Sequence, residues 1–191
     1  MIYVFSTALN NMEVAKLKGY TLIELITVIV IVGTLSVTAA PVFINIADDA
    51  ETSQTLSTMS AFKSGLQLLH VKRIVSGSDT LQINNTQIAF SDNGWPMGSS
   101  QNSQGCAELW EALMEGVGDI NVVQTFSNRL EPGWNTFAHQ DICAYINTHE
   151  DVPVSQNDAP HFVYFIDDMT FPGRGLSYDG VAGDVIAYRI D

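Results

Sequence analysis

The feature that most constrains this chain is an uncharged, mostly apolar run near the amino terminus. Residues 25–47 have the sequence LITVIVIVGTLSVTAAPVFINIA and contain no charged side chain. About 20 such residues in a helix cross the hydrocarbon core of a bilayer, so the run predicts a transmembrane helix. Lys16 and Lys18 precede it, and lysines outside an apolar run hold that end in the cytoplasm. The residues after the run are therefore predicted to face the periplasm.

The apolar run has two alternative interpretations, a secretory signal peptide and a plain membrane anchor. A secretory signal peptide has a shorter apolar region, followed by a small-x-small cleavage site. Thr38-Ala39-Ala40 imitates such a site, but Pro41 directly after it disfavours cleavage. A plain membrane anchor does not account for Glu24, because a carboxylate costs about 2.5–3.5 kcal/mol near the centre of a membrane helix and less near its end. An ionisable group at that position predicts a partner.

The composition predicts an acidic globular domain in addition to the membrane helix. The chain has 191 residues, of which 21 are Asp or Glu and 8 are Lys or Arg, and its formal net charge is −13. Binding to a phosphate backbone needs clustered Lys and Arg, so no nucleic-acid partner is predicted. Hydrophobic residues make up 46% of the chain, which is enough to exclude a wholly disordered protein.

A hexapeptide that ends in a glutamate directly precedes the apolar run: Gly19-Tyr20-Thr21-Leu22-Ile23-Glu24. Together with the basic residues before it and the uncharged helix after it, the hexapeptide resembles the processing site of type IV prepilins and pseudopilins. Those proteins usually have Phe where this chain has Tyr20. The resemblance covers residues 16–50, and Pro41 stands where many pilins have a helix-bending proline.

The resemblance implies a maturation and assembly chemistry. A prepilin peptidase would cut between Gly19 and Tyr20 and methylate the new amine of Tyr20. Glu24 would then pair with that amine on a neighbouring subunit, which sets the axial register of a filament. Gly33 and Pro41 would be the points where the helix bends or melts.

The resemblance also implies a domain organisation and a set of partners. Residues 1–19 would be a cleaved leader, 20–47 the transmembrane and assembly helix, 48–76 an amphipathic half of the same helix, and 77–191 a periplasmic, later extracellular, head. Because family leaders are short and basic, we expect Met12 to be the true initiator. The implied partners are the prepilin peptidase, other pilin subunits, the pilus assembly platform and the bacterial inner membrane.

The fold class follows from the pattern after the membrane run. Apolar residues recur at roughly helical spacing up to residue 75, and Gly77 in a Ser-Gly-Ser run predicts the end of the helix. The alternative for this half, a coiled-coil dimer, needs a sustained heptad that the sequence lacks. The helical positions are Phe43, Ile46, Ala50, Leu56, Met59, Phe62, Leu66 and Leu69.

The head is predicted to be an antiparallel β-sheet with one short helix, which gives an α+β fold of the type IV pilin kind. The predicted strands are residues 82–90, 144–146, 161–166 and 184–190, and the predicted helix is 107–114. Turn-rich residues predict loops at 94–98, 172–175 and 179–180.

The two cysteines of the head, Cys106 and Cys143, predict a disulfide, because a head outside the cytoplasm meets an oxidising environment. Such a bridge would stabilise the head by about 4 kcal/mol in the chain-entropy model. Two unpaired buried cysteines are one alternative. A metal site of His139, Asp141, Cys143 and His149 is the other, but it lacks the paired short spacings of zinc sites.

No other group in the head predicts a catalytic or cofactor site. The acidic residues of the last loops could attract calcium, but they lack an EF-hand spacing and are expected to be solvated, so no metal is predicted. The tryptophans are expected to be core or staple residues. No nucleophile elbow, phosphate loop or metalloprotease motif is present, so we expect no enzymatic activity. The residues concerned are Asp167, Asp168, Asp179, Asp184, Trp95, Trp110 and Trp134.

The sequence therefore favours a structural subunit of a type IV pilus. Residues 37–50 and 55–76 resemble mannose-sensitive haemagglutinin pilins, and the head, which does not obviously match a major subunit, favours a minor pilin that supports surface attachment. A pseudopilin of a type II secretion or competence system shares the same amino terminus. A membrane-anchored binding module is the third possibility.

Overall fold

The structure is a computed structural model that describes residues 20–149, 151–156, 158–173 and 177–190. The side chains of residues 40–45, 47 and 48 lie outside this description, as do the predicted leader and the predicted loop residues Arg174 and Gly175. The chain divides into two units, Met1–Asn45 and Ile46–Asp191, and each is described by itself.

One long helix, α1 (Leu22–Ser76), begins at the apolar run and ends in the second unit. Its carboxyl end is closed by Gly77, whose φ of 65° is left-handed and whose N–H donates to the carbonyl of Arg73 at 2.8 Å. Glycine adopts this conformation without the steric penalty of a side chain, which is why helices commonly end on it. The predicted helix and its predicted end are confirmed.

The described residues after α1 form ten strands, one further α-helix and a short 3-10 helix at Val154–Gln156. The helix α2 spans Ser103–Leu113. The strands are β1 Thr80–Ile83, β2 Thr86–Phe90, β3 Pro96–Gly98, β4 Ile120–Val123, β5 Gly133–His139, β6 Ile142–Thr148, β7 His161–Phe165, β8 Met169–Pro172, β9 Ser177–Gly180 and β10 Val185–Tyr188.

These strands form three sheets. The largest has the order β10-β7-β6-β5-β4, and the smaller ones have the orders β1-β2-β3 and β8-β9. Every adjacent pair is antiparallel except β4 and β5, which are parallel. The α+β class and the pilin-like combination of an apolar amino-terminal helix with antiparallel strands are confirmed.

The second half of α1 packs on one face of the five-stranded sheet. Phe62 and Leu66 are fully buried and Leu69 is nearly so. The Phe62 ring lies 4.7 Å from Tyr145 and 5.6 Å from Phe162, measured between ring centroids. The predicted amphipathic pattern therefore holds from Leu56 onward, whereas Ile46 and Ala50, also placed on that stripe, are exposed. Side chains alternate across a strand, so the next residues along β5, β6 and β7 face away from α1.

The predicted single strand over residues 82–90 is wrong, because the chain reverses within it. Asn84 and Asn85 have φ values of 45° and 68°, and they connect β1 to β2 as a two-residue turn. Asn tolerates this left-handed backbone better than most residues, so an Asn-Asn pair between two short apolar runs is a hairpin signal.

The structure also differs from the sequence prediction at two predicted loops and at the start of α2. Pro96–Gly98 forms strand β3 and Asp179-Gly180 ends strand β9, although both stretches were predicted as loops. Helix α2 begins at Ser103, four residues before the predicted start, because the Asn102 side chain caps it by accepting the N–H of Gly105 at 3.0 Å. The strands β6, β7 and β10 contain or overlap the predicted ones.

Candidate functional site

The amino terminus of α1 is closed by a reciprocal pair of hydrogen bonds. Thr21 precedes the helix and its hydroxyl oxygen accepts the N–H of Glu24 at 3.3 Å, while Glu24 Oε2 accepts the backbone N–H of Thr21 at 2.7 Å. The Thr21 hydroxyl also donates to Oε2 at 2.8 Å. This is a capping box, in which a hydroxyl residue and a glutamate three positions later satisfy otherwise unpaired N–H groups at the helix start. The sequence interpretation gave Glu24 an assembly role and missed this local one.

The side chains at the amino-terminal end of α1 are highly exposed. Tyr20 is 88% exposed, and the apolar side chains of Leu22 and Leu25 that follow it are 75% and 62% exposed. Large apolar side chains without a cover of protein mark a surface that meets lipid or another protein. Gly19, the other half of the predicted cleavage site, lies outside the described residues.

The helix is long and apolar enough to cross a membrane. The span Leu22–Ala39 has 18 residues with a mean hydropathy of 2.3, a test that a signal sequence at the same position would also pass. Its hydroxyl groups are satisfied internally: Thr34 donates to the carbonyl of Ile31 at 2.9 Å, and Ser36 donates to that of Val32 at 2.7 Å. Such bonds remove the cost of taking a hydroxyl into hydrocarbon.

The two predicted weak points of the helix both lie within its bounds. Gly33 has no atom within 4 Å of the position where a Cβ would stand, so no contact with the rest of the described chain requires glycine there. Pro41 lies inside α1, but its side chain is outside the described residues. Bending or melting at these residues stays a prediction.

In the head, the structure joins Cys106 of α2 to Cys143 of β6 by a disulfide, with their Cα atoms 5.7 Å apart. Both residues are buried, and the Tyr145 hydroxyl donates to the carbonyl of Cys106 at 2.8 Å. The bridge therefore ties α2 to the central strand of the sheet. It also removes Cys143 from the alternative metal site.

The carboxylates predicted as a weak calcium candidate are each engaged by a nearby donor. Asp167 accepts the side-chain amide of Asn93 at 2.6 Å, and Asp168 accepts the N–H of Ala182 at 2.9 Å. Asp179 accepts the hydroxyl of Thr170 and Asp184 accepts the N–H of Val181. Within the residues that the structure describes, no three His, Cys, Asp or Glu side chains are grouped to hold a metal ion.

The aromatic core has the roles that the sequence predicts for its tryptophans. Trp110 and Trp134 are buried with ring centroids 4.7 Å apart, and Trp95 is partly buried and stacks on His70 at 4.2 Å. Burial raises the pKa of Tyr145 well above its usual range. The same cause raises the pKa of Tyr164, whose hydroxyl donates to the carbonyl of Pro96.

One histidine is buried on the face of the sheet that points away from α1. His161 Nδ1 lies 2.9 Å from the carbonyl of Ala159, and Nε2 lies 2.9 Å from the Tyr178 hydroxyl. A neutral ring that donates from Nδ1 and accepts the Tyr178 O–H at Nε2 satisfies both contacts. Burial lowers the pKa of this imidazole below its usual value.

Comparison with known proteins assigns the family. Two curated proteins from Pseudomonas aeruginosa, both named Fimbrial protein, are each 30% identical to this chain over 129 residues, which cover 62% of this chain and 83% of the relative. The chain belongs to the fimbrial protein family. No family model and no solved structure matches it. For a fimbrial protein, an exposed apolar helix and a disulfide-linked α+β head support a structural role as a pilus subunit.

Proposed function

We propose that this fimbrial protein is a minor subunit of a type IV pilus of the mannose-sensitive haemagglutinin type, which supports attachment to surfaces. The observation that carries the proposal is the order of three features: a basic leader, the hexapeptide of residues 19–24, and an uncharged apolar run in a helix whose side chains are exposed at residues 22–38. The relatives named Fimbrial protein favour a pilus over a secretion pseudopilus.

The first proposed step is maturation. A prepilin peptidase cuts between Gly19 and Tyr20 on the cytoplasmic side and methylates the Tyr20 amine. Before cleavage the nitrogen of Tyr20 is an uncharged amide. After cleavage it is an amine with a reference pKa of about 7.7–8.0, so it is largely protonated near neutral pH. Processing therefore creates the cation that the carboxylate of Glu24 needs as a partner.

The second step is assembly through the helices. A carboxylate and an ammonium group are each costly in a low-dielectric surrounding, and pairing removes most of that cost. In the capping box, Glu24 Oε2 accepts the N–H and the hydroxyl of Thr21 at the exposed first turn of α1, which holds the carboxylate where the amine of a neighbouring subunit can approach it. The pair would set register, and lateral packing of the apolar helices would supply the driving force.

The proposed organisation has a cleaved leader (1–19), a membrane and assembly helix (20–47), an amphipathic half (48–76) and a head (77–191). Before assembly, the inner membrane would hold the helix, with the head in the periplasm. The assembly platform would then move the subunit into an extracellular filament.

Filament incorporation in the native host tests this proposal against a plain anchor. Glu24→Ala should be processed normally and should be lost from sheared filaments, because its ammonium partner has no counter-charge. Glu51→Ala removes the same group later in the same helix and should be incorporated normally. Gly19→Ala should block processing. Normal incorporation of Glu24→Ala would contradict the assembly role.

Two further measurements test the finer assignment. Quantitative mass spectrometry of purified filaments should find this chain at a small fraction of the main subunit, and an abundance equal to the main subunit would contradict the minor role. Loss of protein secretion with normal filaments, after deletion of the chain, would instead favour the pseudopilin alternative.

A further inference from the structure

The two carboxylate oxygens of Glu24 are bonded unequally at the start of α1. Oε2 accepts both the backbone N–H of Thr21, at 2.7 Å, and the Thr21 hydroxyl, at 2.8 Å. In the part of the chain that the structure describes, no donor is bonded to Oε1. The side chain is exposed, so a partner from another molecule can approach Oε1.

The proposed ion pair places a demand on this carboxylate that one amine cannot meet. An ionised carboxylate accepts about four hydrogen bonds, and water supplies them at an exposed site. Packing of the apolar helices around the pair excludes that water. A buried ion pair is then favourable only where further hydrogen bonds satisfy the remaining lone pairs. The N-methylated amine of a neighbouring subunit keeps only two N–H donors, so other donors have to come from the protein.

We propose that Thr21 is a positioning residue for assembly, whose N–H and hydroxyl hold Oε2 of Glu24 and leave Oε1 to the amine of the neighbouring subunit. This inference rests on the assembly role proposed above for Glu24. The two donors belong to the same turn as the carboxylate, so they accompany it from the membrane into the filament. They also fix the orientation of the carboxylate, which lowers the entropy lost when the pair forms.

The Thr21 hydroxyl has two functions that substitutions can separate. It accepts the N–H of Glu24 at 3.3 Å, which caps the helix, and it donates to Oε2 at 2.8 Å. In the free subunit the exposed carboxylate can bond to water instead, so loss of the donor costs little. In a dry filament core the same loss leaves a charged acceptor unsatisfied, which is costly. Loss of the hydroxyl should therefore impair assembly and spare the free subunit.

Incorporation into filaments of the native host tests the hydroxyl. Thr21→Val keeps the branched shape and the backbone N–H, and its share in sheared filaments should fall about tenfold. The share is expressed relative to processed protein in the membrane, which removes any effect on cleavage. Thr21→Ser restores the hydroxyl and should be incorporated like the parent. In the matched control Thr27→Val, the lost hydroxyl donates to the carbonyl of Glu24 at 2.9 Å and not to its carboxylate, so incorporation should stay within about twofold.

A glycine variant separates the donor from the helix cap. Glycine caps a helix nearly as well as threonine but has no hydroxyl, so Thr21→Gly should be incorporated as poorly as Thr21→Val. Normal incorporation of either variant, with Glu24→Ala still lost, would overturn this inference and leave the proposed function intact. Normal incorporation of Glu24→Ala as well would overturn both.

Nuclear magnetic resonance of the full chain in detergent micelles tests the bond without filaments. Lowering the pH from about 7 to about 3 protonates the glutamates. The amide resonance of Thr21 should shift as Oε2 loses its charge, and Glu24→Gln should abolish this shift. A Thr21 resonance that does not change with pH, or that changes equally in Glu24→Gln, would overturn the inference.

Discussion

Two leucines on the same helix allow a sharp test of how the second half of α1 packs. Leu66 is 0% exposed and Leu68 is 68% exposed. Replacing either by alanine deletes the same atoms and changes helix propensity equally, so the two variants differ only in burial. Leu66→Ala removes a side chain from the core that includes Phe62, and such deletions cost about 2–5 kcal/mol. Leu68→Ala should change the free energy of unfolding by less than about 0.5 kcal/mol.

The assay is urea unfolding of the full chain in micelles, followed by tryptophan fluorescence. The three tryptophans all follow α1 in the sequence, so the signal reports on the head. With an m-value of about 2 kcal/mol/M, a loss of about 3 kcal/mol lowers the midpoint by about 1.5 M. The Leu68→Ala midpoint should stay within about 0.3 M of the parent. Equal shifts in the two variants, or a larger shift for Leu68→Ala, would refute the packing face assigned to the helix.

Three more predictions use the same assay. Replacing Cys106 and Cys143 together by alanine should lower the free energy of unfolding by about 4 kcal/mol, and a loss below about 1 kcal/mol would contradict the role given to the bridge. Gly105→Ala should destabilise the head by about 1–3 kcal/mol, because a Cβ there would collide with the carbonyl of Ser100; an unchanged midpoint would contradict this close approach. Burial lowers the pKa of His161, so the unfolded state binds the proton more readily below about pH 6.5. The free energy of unfolding should therefore fall from pH 7.5 to pH 5. His161→Gln should make this fall smaller, and an equal fall in the variant would contradict the role given to His161.

The helix and the best strands could be predicted because their sequence patterns are local. The apolar run and the helical spacing after it specify α1, and the aromatic and β-branched run of β7 specifies a buried strand. Strand β5 was missed because Asn135 and Thr136 have the composition of a loop. Both are fully buried, and the Asn135 side chain bonds the backbone of Glu131 in both directions. A buried asparagine whose partners are backbone groups cannot be recognised as a strand residue without the fold.

Of the candidate sites, too, one follows from a local sequence pattern and another depends on the fold. The proposed processing motif is contiguous, so Tyr20 and Glu24 could be predicted as its residues from the sequence alone, and the Thr-x-x-Glu spacing could also have revealed the capping box. The pocket on the face of the five-stranded sheet that points away from α1 could not be predicted. Its lining comes from segments between Phe126 and Arg189 that only the fold brings together.

The most direct test of the account is the intact mass and amino-terminal sequence of the protein purified from its native host. The account predicts a chain that begins at N-methylated Tyr20 and lacks two hydrogens because Cys106 and Cys143 are joined. A chain that still begins at Met1 or Met12 would contradict prepilin processing and leave the apolar helix as an anchor.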